Sequence, residues 1–303
     1  MINKDFTSIL DLLKSFPDEQ SCIDHLTELR WNGHVVSPFD ADSKVYVCKG
    51  SKYRCKNTGK YFNVRTGTMF DNTKVELQKW FVAIFLVTSH KKGISSLQLG
   101  KDIDVTQKTS WFMLQRIRNC FGFENEGELN GEVEIDETYV GGKNKNRHAN
   151  KKVEASQGRS TKDKAPVMGM IERGGKLIAK QIDGVGSDSL TPEVIKRVKD
   201  AMVYTDEWTG YKSLARVYDH LVVKHNHGEY VNGRIHTNTI EGFWSILKRG
   251  IFGIYHFTSK KHLQKYVDEF VYRYNTKNNT TASRFNLLLA NNGNRLTYKE
   301  LIA

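Results

Sequence analysis

Gly131-Glu132-Val133-Glu134-Ile135-Asp136-Glu137-Thr138-Tyr139-Val140-Gly141-Gly142 is the stretch on which the fold turns. Val133 and Ile135 alternate with Glu132, Glu134 and Asp136, so a period-two strand sets the carboxylates on one side and the apolar groups on the other. A strand that ends in acid and breaks at a glycine pair can hold a metal-binding carboxylate at its tip. An ordinary surface strand with its acids in water would read the same way. Two acids further along weigh against that: Asp206, closing another short apolar run, and Glu241, inside a helical pattern.

Between these acids the elements follow a definite order. Residues 141–164 form a basic loop with almost no apolar side chain. There Lys143, Lys145, Arg147, Lys151 and Lys152 would offset the repulsion between a carboxylate cluster and a phosphate backbone, so contact with DNA is expected. Two strand-like runs, 166–171 and 177–182, meet at Arg173-Gly174-Gly175, a hairpin signal. Thr191-Pro192-Glu193 predicts a helix start, with a capping hydroxyl and proline at the first helical position. Val203-Tyr204-Thr205-Asp206 then reads as a short strand ending in acid. A three-stranded antiparallel meander followed by a helix and a parallel strand begins an RNase H-like α/β fold, whose first and fourth strands lie side by side. Their acids would then meet. Glu134 shares the strand face of Asp136, and Asp136 is preferred because it lies nearer the strand end.

The third acid sits in His236-Thr237-Asn238-Thr239-Ile240-Glu241-Gly242-Phe243-Trp244-Ser245-Ile246-Leu247-Lys248-Arg249-Gly250. On a helix Asn238, Glu241, Ser245 and Lys248 share one face, while Ile240, Phe243, Trp244 and Leu247 form the packed side. Two Mg²⁺ ions about 3.5–4 Å apart need several hard oxygen ligands, and they serve the attacking and leaving oxygens of a phosphodiester. Lys248 is placed to hold substrate phosphate or a flanking base, with Arg249 beside it.

Upstream, residues 6–30 read as helical around a break at Pro17, and residues 31–70 as short β runs of a small ribbon module. A zinc ribbon needs two Cys-x-x-Cys knuckles. Here their places hold Ser37-Pro38-Phe39-Asp40 and Cys55-Lys56-Asn57-Thr58, so structural zinc is not expected. Residues 74–90 carry an apolar stripe at helical spacing. In residues 94–118, Ser95 and Thr106 can cap two helices around a tight turn, the second with Trp111, Leu114 and Ile117 on its apolar face. This is helix-turn-helix spacing. It would point Gln107, Lys108 and Ser110 at the major groove and set Arg116 and Arg118 near phosphates. The expected organisation is an N-terminal helix with a ribbon-like module (1–73), a helix-turn-helix region (74–123), the catalytic domain (124–280) and a tail (281–303).

The chain's 303 residues allow several domains, and its 46 Lys+Arg against 34 Asp+Glu leave it at +12, which favours a polyanionic partner and nucleic acid first. No long apolar run and no signal-peptide core appears, and the four cysteines suggest no disulfide framework. A cytoplasmic, nucleoid-associated protein is expected.

Asp136 in Glu-Ile-Asp-Glu-Thr-Tyr-Val-Gly-Gly, Asp206 in Tyr-Thr-Asp-Glu-Trp-Thr-Gly-Tyr, and Asn238-x-x-Glu241 followed by Phe243-Trp244-Ser245 and Lys248-Arg249-Gly250 resemble the DDE transposases of the bacterial insertion-sequence family numbered fifteen ninety-five. The resemblance extends upstream through Leu29-Arg30-Trp31, Tyr53-Arg54-Cys55 and Phe62-Asn63-Val64-Arg65-Thr66-Gly67-Thr68, covering about residues 25–275. It implies that Asp136, Asp206 and Glu241 bind two Mg²⁺ ions, for which Mn²⁺ can substitute, and that Lys248 contacts transposon-end DNA. Some relatives use an asparagine in the third catalytic place, which makes Asn238 a rival or helper to Glu241. The family's ribbon looks like a four-ligand zinc site, which the serine, aspartate and threonine here do not reproduce. The implied activity is strand cleavage at the element's ends and transfer of the 3′-hydroxyl into target DNA, by a homodimer or higher oligomer. The competing readings are a helix-turn-helix regulator that has lost catalysis and an RNase H-like structure-selective nuclease.

Overall fold

The computed structural model describes residues 5–142, 148–154, 160, 162–223 and 236–303, Lys151 by its backbone alone. The chain divides into two units, residues 1–121 with 278–303, and residues 122–277.

In the first unit, α1 (Ile9–Ser15) is capped by Ser8, and α2 (Glu19–Trp31) by a reciprocal box between Asp18 and Ser21. Strands β1 (Val45–Cys48), β2 (Lys52–Cys55) and β3 (Tyr61–Phe62) form an antiparallel meander. Helix α3 (Leu77–Ser89) is buried over most of its length. The side chains of Ser95 and Thr106 accept from Gln98 N and Thr109 N, and so cap α4 (Ser96–Asp102) and α5 (Gln107–Arg118) as their types predict.

The second unit is an α/β structure on a five-stranded mixed sheet. Its elements are β4 (Leu129–Val140), β5 (Ala165–Glu172), β6 (Leu177–Gln181), α6 (Ser187–Arg197), β7 (Val198–Asp206), β8 (Asp219–Val223), α7 (Asn238–Gly250) and α8 (Leu263–Asn275). The spatial order is β6-β5-β4-β7-β8. The first three strands are antiparallel, and β7 and β8 run parallel to β4 and β7 respectively. Alternation along the strands feeds two cores. Val167, Ile171 and Ala179 pack under α7 and α8, and Val133, Ile135, Met168 and Met170 pack under α6, Tyr211 and Leu214.

Helix α6 starts at Ser187, five residues before Pro192, the first helical position expected from capping chemistry, so Pro192 lies inside it. The hydroxyls of Ser187 and Thr191 both bond Ser213 Oγ, at 2.6 and 2.7 Å, and Leu190 and Val194 are fully buried. Packing on both sides of Pro192 thus outweighs the backbone bond that a proline omits.

Residues 281–303 are not a tail. The chain returns to the first unit as α9 (Thr281–Ala290) and α10 (Tyr298–Ile302). Phe285 of α9 completes an aromatic cluster, with ring centroids 5.2 Å from Phe6 and 5.3 Å from Phe81.

Candidate active site

The parallel register of β4 on β7 pairs Val133 with Val203 and Glu134 with Tyr204. Asp136 and Asp206 each stand two residues further on, on neighbouring strands whose backbones lie about 4.8 Å apart. Asp206 closes β7, whereas β4 does not end at Asp136 and runs on to Val140. Both line a cleft of about 580 Å³. Around it also stand Glu137, Thr138, Tyr139 and Lys164, with Thr237, Glu241, Trp244, Ser245 and Lys248. Strand β4 supplies one acid, β7 the second and the first turn of α7 the third.

Asp136 is held in place by Trp244, whose Nε1 donates to Asp136 Oδ2 at 3.0 Å. The indole reaches over the sheet because Asp136 faces Gly169 across β5. A Cβ at Gly169 would stand 2.7 Å from the Trp244 ring, so only glycine fits. Burial, then the charges of Glu137 and Asp206, push the Asp136 carboxyl up to about 7. Glu137 is 8% exposed and accepts from Tyr211 Oη at 2.6 Å; burial first and then Glu137 raise the Tyr211 hydroxyl well above its usual range. Burial holds the Lys248 ammonium below its usual range, with Asp136 opposing and Lys164 adding to the effect.

Glu134, the other acid on this face of β4, is fully buried and lies away from the cleft. Its Oε1 accepts from Arg173 Nε at 2.8 Å and Thr239 Oγ1 at 2.9 Å, with His236 Nδ1 3.2 Å away. Its Oε2 accepts from the backbone N–H groups of Thr239 and Ile240 at 2.9 and 3.1 Å. Glu134 therefore caps α7 from a different element and neutralises the positive end of its dipole. The N-cap residue itself, Thr237, makes no capping bond and donates instead to Glu241 Oε1 at 3.1 Å. Arg173, read from sequence only as part of a hairpin turn, also stacks on Tyr204, 4.0 Å from the ring centroid.

The remaining expected site residues are placed less uniformly. Asn238 is exposed and is not among the residues lining the cleft. Arg249 is exposed and donates to Ser245 Oγ at 2.5 Å. Lys152 is exposed, whereas Lys143, Lys145 and Arg147 lie outside the described residues, as does the Lys151 side chain. In the first unit Gln107 and Lys108 are exposed at the start of α5, with Gln107 Nε2 bonded to Ser96 Oγ at 2.9 Å.

Ser110, Arg116 and Arg118 contradict the expectation of DNA contact, because all three are buried. Ser110 Oγ donates to Ser96 O at 2.5 Å and so locks α5 to α4. Arg116 donates to the backbone oxygens of Leu296, Met69 and Asp71 at 3.0, 3.0 and 2.9 Å. It lies on the packed side of α5 with Met113 and Ile117, and its charge is spent on carbonyls that would otherwise be orphaned.

In the ribbon, the hydroxyls of Ser37, Ser43 and Thr58 bond the Cys55 thiol. Burial pushes that thiol up, but these bonds outweigh it and bring it down to about 6. Ser37 and Thr58, in two of the places where a zinc ribbon has knuckle cysteines, thus converge on Cys55. Asp40 turns aside and accepts from Asn57 Nδ2 at 2.8 Å.

The family model described as the ISXO2-like transposase domain matches residues 128–275, from the start of the mixed sheet to the end of α8. An uncharacterized protein in transposable element ISH50 of Halobacterium salinarum is 30% identical over 276 residues, covering 86% of this chain and 92% of its own length. The chain belongs to the ISXO2-like transposase family. It is thereby a member of a family of nucleic-acid-processing enzymes. Among solved structures, a chain of a pre-cleavage Mos1 transpososome aligns over 95% of this transposase and 98% of that chain, at 13% identity and a TM-score of 0.22. Among the described residues, no helix of the transposase is long and apolar enough to cross a membrane.

Proposed function

We propose that this transposase cuts DNA at the ends of its element and joins the freed 3′-hydroxyl to target DNA, with Asp136, Asp206 and Glu241 as its catalytic acids. One observation carries the reading: three acids distant in sequence, together with Lys248, line a single cleft. The sheet order, with the first strand central and the fourth parallel beside it, supports an RNase H-like reading of the second unit.

Among the described residues no three acid, imidazole or thiol groups close around a common point. What fits a cation is the charge: Asp136 is raised by burial and by the charges of Glu137 and Asp206, a repulsion that hard divalent ions would relieve. Asp136, Asp206 and Glu241 would hold two Mg²⁺ or Mn²⁺ ions, which when bound serve both in-line displacements at phosphorus. The chain's own groups do the rest. Trp244 orients Asp136, Thr237 orients Glu241, and the Lys248 ammonium holds a substrate phosphate. Gln107 and Lys108 at the head of α5 and Arg249 on α7 are exposed for DNA, as is Lys152. The α4–α5 pair reads as a helix-turn-helix, and the ribbon stands on the Cys55 hydroxyl cluster in place of zinc. A dimer or higher oligomer on paired ends is the working assembly.

Asp136→Asn, Asp206→Asn and Glu241→Gln each abolish Mg²⁺-dependent nicking and strand transfer on end-containing DNA and leave binding of that DNA nearly intact. Retained strand transfer in any one of them removes that residue from the site.

A further inference from the structure

Helix α7 does not stop where the cleft does. It runs on into a single π-turn, Ile251–Tyr255, a rare form that gathers at functional sites. Glu241, Ser245 and Lys248 line the cleft. Phe252, four residues past Lys248, continues that face at helical spacing and is 48% exposed. Phe257 follows at 73% exposure, just past a tight turn: His256 has φ 59° and ψ −42°, and Phe257 N donates to Tyr255 O at 2.6 Å. A non-glycine residue in that region is strained, and such strain persists only where its surroundings hold it.

The surroundings do hold it. Ile251 is buried, Tyr255 Oη donates to Glu269 Oε1 at 2.5 Å, and the Tyr255 ring meets Tyr266 at 4.9 Å. Two phenylalanines are thus turned outward by an anchored segment. Cations flank them along the chain, with Arg249, Lys260 and Lys261 all exposed. Burial together with the charges of Lys265 and Lys261 holds His262 below its usual range, a sign of the same positive field.

We infer that the segment from Phe252 to Phe257 is a base-stacking platform that receives unpaired nucleotides of the DNA lying in the cleft, an inference that rests on the DNA-cutting reading above. Outward rings among cations match single-stranded nucleic acid, whose phosphates meet the charges while its base faces meet the rings. Paired bases have their faces covered by their neighbours in the stack, so the nucleotides concerned are unpaired ones.

The test uses the full-length protein and three DNA duplexes of equal length: one fully paired, one with a short unpaired tract, and one whose unpaired tract is abasic. The wild type prefers the unpaired tract over the paired duplex by about tenfold for each base stacked. The abasic tract loses that preference, as does Phe252→Ala/Phe257→Ala, whereas Phe257→Trp keeps it. Both residues are exposed, and circular dichroism of the double variant checks that it folds. A double variant that retains the preference overturns the inference, as does one that changes only the oligomer mass in sedimentation, which would make this face a contact between copies. If wild type nicks end DNA and the double variant behaves like it throughout, the platform falls and the proposed function stands. If wild type binds none of the duplexes, both fall.

Discussion

Glu134→Gln tests whether a buried acid outside the cleft fixes the helix that carries Glu241. Glu134 Oε2 receives two backbone N–H groups, and Oε1 receives Arg173 Nε and a threonine hydroxyl. Glutamine keeps one acceptor oxygen and turns the other into a donor that faces donors. Whichever way the amide points, one or two buried N–H groups lose their acceptor, at about 1–3 kcal/mol each. Loss of the charge opposite Arg173 and the helix dipole adds roughly 0.3–1 kcal/mol or more. These terms sum to about 1–7 kcal/mol, a range centred on the roughly 3–5 kcal/mol that breaking a buried ion pair costs. For a unit of roughly 150 residues this lowers the melting temperature by about 6–20 °C. Scanning calorimetry reads that shift, and amide hydrogen exchange at Thr239 and Ile240 reads the local release of α7. At temperatures where the variant is still folded, its nicking rate falls because Glu241 and Lys248 ride on the loosened helix. A melting temperature within about 2 °C of wild type, with both amides still protected, would refute the reasoning.

Three further outcomes are expected. In chelator the folded Asp136 carboxyl titrates near 7 against an ordinary 3.8, so the folded state holds more protons between those values and stability falls as pH rises from about 4 to 7. Asp136→Asn removes that contribution, and melting curves whose pH slopes are equal for the two proteins would contradict it. Gly169→Ala sets a Cβ 2.7 Å from the Trp244 ring and costs about 1–3 kcal/mol in chemical denaturation. Trp244→Phe recovers part of that loss, and strictly additive losses would show that the two residues do not meet. Arg116→Met leaves three backbone oxygens without their donor and costs about 3 kcal/mol or more, with DNA affinity of the folded protein unchanged. Lost affinity at undiminished stability would return Arg116 to a phosphate-contacting role.

The order of the first four strands was legible because it rests on local signals: period-two alternation in β4, glycines at the β5–β6 turn, and an acid closing β7. Caps were legible at Ser95 and Thr106 for the same reason. Long-range packing was not. Pro192 looks like a helix start only until Ser213, some twenty residues on, is seen to bond the hydroxyls around it. Arg116 and Arg118 look like phosphate ligands because their charge is visible in sequence, while the carbonyls that claim Arg116 lie far away in the chain at Met69, Asp71 and Leu296. Strand β8 gave no signal strong enough to separate it from a loop. Phe285 reads as one apolar residue in a short helix until it is placed against Phe6 and Phe81.

The candidate site follows the same division, and one strand accounts for both sides of it. Strand β4 carries Asp136 directly and brings Asp206 beside it through the register with β7, a placement that alternation and topology imply. The third acid depends on a tie that no periodicity announces. Glu134 takes the N-terminal amides of α7, which frees Thr237 from capping so that its hydroxyl can turn to Glu241. Glu134 and Asp136 stand two residues apart on the same face of β4, so the spacing that made them rivals for one role in fact divides two roles between them. The acid nearer the strand end meets the cleft. The acid one pleat back is sealed under α7 and sets where the helix-borne carboxylate stands. Because both act through the same strand, a shift of β4 by one residue would turn Asp136 and Glu134 to the opposite face together, and with them the anchor of Glu241.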